Sequence, residues 1–131
     1  MDLAVCESFL FFSATHQPPP HPPCEPRPLT GKRHVYVFDK DGNCLRKLGV
    51  KGANSGQFNY PSGVSFLNDN EILITNKPSH RLQHINIHTG TVVESIGKHG
   101  TGKGELNNPV DVCLYDKRGI AVIDFWNNRI Q

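Results

Sequence analysis

A period of 48 residues organises the chain from Gly31 to Gln131. When the sequence is shifted against itself by 48 positions without a gap, residues 33–83 align with residues 81–131 and share eleven identities. About three identities are expected by chance at average residue frequencies. The identities include Gly42 with Gly90, Gly49 with Gly97, Gly56 with Gly104, Pro61 with Pro109, and Arg81 with Arg129. A period of this length predicts a repeat architecture.

Short runs rich in β-branched residues recur within each period, separated by clusters of Gly, Asn and Asp. In the best-defined period these runs are residues 63–67, 71–75, 81–87 and 91–96. In the third run Ile85 and Ile87 alternate with polar residues at period two, which predicts a strand with one buried face and not a helix. Four strands in each repeat are typical of a blade of a β-propeller.

The strand pattern predicts an all-β fold, an incomplete propeller of about two four-stranded antiparallel blades. Residues 33–38 and 45–49 supply the last two strands of one blade, residues 63–96 a whole blade, and residues 110–131 the start of a third. About two blades cannot close a ring, since propellers have roughly four to eight. We therefore expect a fragment or an oligomerising piece, with further blades coming from a longer chain or from another copy.

Composition divides the chain into two parts, a Pro-rich segment of residues 1–30 and the repeat region of residues 31–131. Seven prolines crowd between Pro18 and Pro28, which predicts a disordered or polyproline II segment. No apolar run approaches the roughly 20 residues that span a bilayer, so no membrane contact is expected. The four cysteines form no CxxC pair, so no disulfide framework or cysteine-rich zinc site is indicated, and a reducing, cytoplasmic location is expected.

Three groups of residues carry a resemblance to a known family. They are residues 56–64, residues 72–74, and residues 120–124 with the following Asn127 to Gln131. Together they resemble NHL repeats, whose pattern is a G-x-F-x-x-P-x-G-V opening, a strand ending in Asp, and then N-x-R-I-Q. The chain departs from this pattern at Asn76, where the family has Asp, and at residues 77–80, which replace an Asn-rich turn.

The resemblance is to the C-terminal propellers of tripartite-motif and other RING-type ubiquitin ligases. It implies a protein-binding module that recognises targets in ubiquitin-dependent protein degradation, so the partner would be a ubiquitylation target. The ligase chemistry of such proteins belongs to a RING with paired Cys and His zinc ligands, and this sequence has no such pattern. We therefore expect no enzymatic activity from the chain and no cofactor.

Residues that repeat between blades are expected to be structural, whereas residues that bind a partner should differ between blades. The structural set comprises Gly42, Gly49, Gly56, Pro61, Arg81, Gly90, Gly97, Gly104, Pro109, Asp124 and Arg129. In it the glycines serve turns, and Arg129 is expected to tie its own hairpin together through Asp124. The candidate partner-binding set comprises Lys47, Lys51, Lys77, His80, Lys98, His99, Lys103 and Trp126.

Two other chemistries are compatible with parts of this pattern. Lysines in the Gly-rich connections, with Tyr60 to stack on a base, would suit an RNA-binding surface in post-transcriptional regulation. His80, His84 and His88 have a spacing that suggests a metal site on a helix, but on a strand residues four apart stand roughly 13 Å from each other. No metal site is therefore expected, and no nucleophile, phosphate loop or paired carboxylates point to catalysis.

Overall fold

A computed structural model describes residues 4–6, 9–11, 13–14, 34–39, 41–52, 54–117 and 119–131. The strands are β1 (Ala4–Cys6), β2 (Phe9–Phe11), β3 (Ser13–Ala14), β4 (Val35–Asp39), β5 (Cys44–Leu48), β6 (Val50–Lys51), β7 (Gln57–Phe58), β8 (Pro61–Asn68), β9 (Glu71–Asn76), β10 (Arg81–Asn86), β11 (Val92–Ile96), β12 (Pro109–Leu114), β13 (Ile120–Asp124) and β14 (Arg129–Ile130). Two 3₁₀ turns, η1 (Lys77–Ser79) and η2 (Phe125–Asn127), follow β9 and β13. The described residues contain no α-helix, and neither 3₁₀ turn is long enough to cross a membrane.

One complete blade lies between two partial ones, which confirms the predicted fold class. Strands β8 to β11 form a four-stranded antiparallel sheet, named blade B, in the order β11-β10-β9-β8. Strands β4 and β5 form the antiparallel pair of blade A, and β12, β13 and β14 form blade C. The strand bounds agree with the predicted runs to within two residues, because the turn residues that separate them are unambiguous.

Blade B is buried on both faces, since its strand β9 contributes to two hydrophobic clusters. Ile72 and Ile74 face blade A, whereas Leu73 faces blade C. The first cluster comprises Val35, Val37, Leu48, Phe58, Val64, Ile72, Ile74, Ile85 and Ile87. The second comprises Leu73, Leu82, Leu106, Val112 and Val122. At about 1.5–3 kcal/mol for each buried large aliphatic side chain, these clusters make packing between blades the main stabilising term.

The repeat is present in the backbone as well as in the sequence. Five pairs of residues 48 apart share a positive φ, and four of them are Gly49 with Gly97, Gly56 with Gly104, Tyr60 with Asn108, and His80 with Asn128. Gly42 and Gly90 share it too, in the turns after β4 and β10. Pro61 and Pro109 are the first residues of β8 and β12. Equivalent positions therefore occupy equivalent turns, as a four-stranded repeat requires.

Little of the N-terminal segment is described. Strands β1 and β2 pair antiparallel, and β3 pairs parallel with β4. Residues 15–30, which hold the prolines, lie outside the described residues, as does Arg33. Disorder or polyproline II structure of the Pro-rich stretch therefore stays a prediction, whereas part of residues 4–14 forms strands. Cys44 is disulfide-bonded to a cysteine whose side chain is not described, a bond that the wide cysteine spacing had not indicated.

Candidate functional site

The candidate site lies at one edge of the blades. Because antiparallel strands reverse at each turn, η1 and η2 emerge at the same edge as the two connections between blades, residues 49–60 and 97–108. We name this edge the connection face. The turns before β9 and β13 and those after β4 and β10 lie at the opposite edge.

Asp124 anchors the connection between blades B and C. Its fully buried carboxylate accepts hydrogen bonds from the Asn107 backbone N–H at 2.6 Å, Arg129 Nε at 2.8 Å, Asn127 Nδ2 at 2.9 Å and Gln131 Nε2 at 3.1 Å. Burial alone would raise the pKa of Asp124, but these hydrogen bonds outweigh it and hold the pKa below its ordinary value. The carboxylate is thus ionised at neutral pH and fully occupied.

Arg129 extends this anchor across the connection. Its Nη atoms donate to the carbonyl oxygens of Thr101 at 2.6 Å, Gly102 at 2.7 Å and Glu105 at 2.8 Å. With all of these donors in use, the guanidinium holds the connection to blade C and offers little to a partner. Arg129 thus ties its own hairpin through Asp124, as the sequence predicts.

The connection between blades A and B uses the same framework with an amide, Asn76, in place of the carboxylate. Asn76 Oδ1 accepts the Asn59 N–H at 2.9 Å. One period later, Asp124 accepts the Asn107 N–H in the equivalent way. Gln83 accepts the Gly56 N–H at 2.8 Å and donates to the Gln57 carbonyl at 2.6 Å. Gln131 makes the equivalent pair of bonds one period later. Gln83 and Gln131 are identical residues 48 positions apart in the sequence, but their role in holding the connections was not predicted.

Two of the candidate binding residues, His80 and His99, lie against each other. Their ring centroids are 4.2 Å apart at an interplanar angle of 40°. His80 Nδ1 accepts the Asn108 N–H at 3.1 Å, so in the neutral ring the proton is on Nε2. Burial, and secondarily the charge of His99, lower the pKa of His80. Turn η1 of blade B therefore contacts both ends of the next connection.

The lysines of this face differ in their partners. Lys98 Nζ lies 3.3 Å from Glu105 Oε1, and the other oxygen of Glu105 accepts the Gly102 N–H at 2.8 Å. The pKa of Glu105 is lowered first by its bond to Gly102 and then by Lys98. Lys103 is exposed in the same connection, and Lys77 begins η1. Neither of these two lysines has an ion pair with the described residues.

An aromatic pair projects from the same edge at η2. Trp126 is 63% exposed and Phe125 56%, although the Trp126 backbone N–H is fixed to the Asn107 carbonyl at 3.1 Å. Phe125 was missed as a candidate, and the signal for it was its alignment with Lys77, a change from cation to aromatic at equivalent positions. The aromatic rings are therefore exposed on a turn that is itself well anchored.

Two predicted binding residues lie apart from this group. Lys47 is on β5 of blade A, where its Nζ is 5.9 Å from the Tyr36 ring centroid. Lys51 is in β6, and its side chain is not described. His84 Nε2 lies 3.2 Å from Glu71 Oε2 on the neighbouring strand β9. The described part of the chain has no group of His, Cys, Asp or Glu that could hold a metal.

Repeated blades, recurring connections between them and an exposed edge of varied side chains are typical of a repeat-built interaction module. Residues 58–85 match the family model of the NHL repeat. The E3 ubiquitin-protein ligase NHLRC1 of Homo sapiens is 28% identical over 94 residues, which cover 72% of this chain and 22% of that protein. The chain thus spans about a fifth of the length of this relative. The resemblance to NHL-repeat propellers is confirmed, and the NHL repeat is a non-catalytic protein-interaction module.

Proposed function

We propose that the chain binds a protein target through the connection face between blades B and C, as the target-recognition part of a ubiquitin ligase. The observation that carries this proposal is a contrast within the repeat. The hydrogen-bonding framework is the same in both connections, whereas the first two residues of the turns change, from Lys77 and Pro78 to Phe125 and Trp126. Positions that vary on a constant framework are suited to recognition.

Under this proposal the chain contributes binding and no chemical step. The relative that it resembles is an E3 ubiquitin-protein ligase by name, and the alignment spans 94 residues of it. Ubiquitin transfer would be supplied by a RING elsewhere, either in the same polypeptide or in a partner. The bound protein would then be the ubiquitylation target.

Photo-crosslinking from η2, the turn that carries Phe125 and Trp126, tests this function. A photoreactive amino acid at Trp126 should crosslink a protein in cells, whereas the same group at Tyr115, an exposed aromatic at the opposite edge of blade C, should not. The captured protein should lose ubiquitylation when Trp126 and Phe125 are both replaced by alanine. Equal crosslinking from the two positions would contradict a specific face.

RNA binding is the second candidate function, and the lysines favour it. Lys77, Lys98 and Lys103 lie on the connection face together with an exposed tryptophan, the combination that binds single strands. Phosphate contacts release counterions, so RNA affinity should fall by orders of magnitude between low and physiological salt. A salt titration with an RNA pool separates this function from binding of a protein, whose affinity depends less on salt.

A cytoplasmic location is also a proposal, and the bond at Cys44 bears against it, because disulfides are rare in that compartment. Thiol labelling of Cys44 in intact cells tests the location. Labelling of Cys44 to the same extent as the exposed thiol of Cys113 would support a reducing compartment. Labelling of Cys113 alone would contradict it.

A further inference from the structure

The carboxylates of the described turns are distributed unevenly between the two edges of the blades. On the connection face lie Lys77, Lys98 and Lys103, together with the pair of His80 and His99. At the opposite edge the turns carry Asp41, Asp69 and Asp116, with Glu71 at the start of β9 and Lys117 beside Asp116. Among the described residues, therefore, the exposed carboxylates of the turns gather at the edge away from the candidate site.

The carboxylates that do lie on the connection face are already engaged. Asp124 is buried and accepts four hydrogen bonds. Glu105 holds Lys98 with one oxygen and the Gly102 N–H with the other. Lys77 and Lys103 have no such partner among the described residues. The free charge that this face offers to a ligand is positive, and a ligand with carboxylates would complement it.

Turn η2 supplies an apolar contact on the same edge of the blades as these lysines. Asn128, in the left-handed conformation, closes η2 through its N–H to the Phe125 carbonyl at 3.1 Å, and Trp126 is held to Asn107 by its own N–H. The two rings are therefore exposed, while hydrogen bonds hold the backbone that carries them. Exposed tryptophan on an ordered turn is the side chain that most often dominates the energy of a protein interface.

We infer, on the basis of the proposed protein-binding function, that the partner segment is an acidic peptide with an apolar anchor. The anchor contacts Phe125 and Trp126, and the flanking carboxylates pair with Lys77 and Lys103. The charges suit an acidic peptide better than a nucleic-acid strand, because affinity for phosphates needs several cations at once. Here Glu105 neutralises Lys98, one of the three lysines. The two aromatic residues are also adjacent in one turn and do not follow a backbone path.

The single tryptophan of the sequence gives a direct readout of this site. The full chain is titrated with a synthetic peptide that has glutamates on both sides of a central leucine, and Trp126 fluorescence is followed. Controls are a peptide with lysines for the glutamates, one with serine for the leucine, and a single-stranded RNA of equal length. The acidic peptide should shift the emission to shorter wavelength, at an affinity about tenfold above that of either control peptide.

Charge reversal locates the binding surface. Lys77→Glu and Lys103→Glu should each weaken the acidic peptide about tenfold, whereas Lys117→Glu, at the opposite edge, should leave its affinity unchanged. Circular dichroism of each variant checks that the strands are retained. Equal binding of the basic peptide, or tighter binding of the RNA, would overturn the inference. If crosslinking from Trp126 captures a protein but the acidic peptide gives no response, the inference fails and the proposed function stands; if both fail, both are wrong.

Discussion

Arg129 Nε lies 2.8 Å from a carboxylate oxygen of Asp124, and the side chain of Asp124 is completely buried. The pair joins the last strand of the chain to the connection that leads into blade C, because Arg129 also holds three carbonyl oxygens of that connection. One period earlier the aspartate is Asn76. The same framework thus occurs once with a buried carboxylate and once with a buried amide, and each version serves as a control for the other.

Replacing Asp124 by alanine should lower the free energy of unfolding by about 2–4 kcal/mol, because the Asn107 N–H loses its acceptor and Arg129 its counter-ion. Asp124→Asn should cost less than half as much, since asparagine keeps an acceptor for Asn107 as Asn76 does for Asn59. Urea denaturation measures both. Asp69→Ala, in an exposed turn at the opposite edge, should change stability by less than about 0.5 kcal/mol.

The stability that Asp124 provides should disappear in acid. Its pKa in the folded protein is lower than its ordinary value, so its contribution is fully present above the ordinary value and is lost as the pH falls through the folded one. The difference in stability between the wild type and Asp124→Asn should therefore be constant near neutral pH and shrink below about pH 4. Denaturation curves between neutral pH and pH 3 test this. A difference that does not vary with pH would show that the charge contributes nothing.

The sequence alone predicts the architecture well, because turn residues and strand periodicity recur in register. Glycine recurs at positions 49 and 97 because both turns need a positive φ. Phe58 aligns with Leu106, and both side chains are buried. The site is less predictable. Contact between His80 and His99 depends on how two connections approach each other in space, which no local pattern encodes.

Two glycines of the connection between blades B and C should respond differently to alanine. Gly97 and Gly104 both have positive φ, which costs a Cβ-bearing residue about 1 kcal/mol. At Gly97 the added Cβ would also lie 2.7 Å from Leu106 Cδ1, whereas at Gly104 it would meet open space. Gly97→Ala should therefore destabilise by about 1–3 kcal/mol more than Gly104→Ala. Thermal or urea unfolding of the two variants measures the difference, and equal effects would contradict the packing of Leu106 against Gly97.

His80 should make the fold sensitive to mild acid. Its pKa is lowered in the folded state, first by burial and then by the charge of His99, so below its ordinary value of 6.5 the unfolded chain binds a proton that the folded chain resists. Stability should accordingly fall as the pH decreases from 7 through 6.5 towards the folded pKa. His80→Asn should reduce this loss while preserving the turn, because Asn128 has the same left-handed conformation at the equivalent position. Denaturation midpoints at pH 7 and pH 5 test the prediction, with His88→Asn, an exposed histidine at the opposite edge, as the comparison variant. If His80→Asn loses as much stability on acidification as the wild type, the pair of His80 and His99 carries no pH dependence.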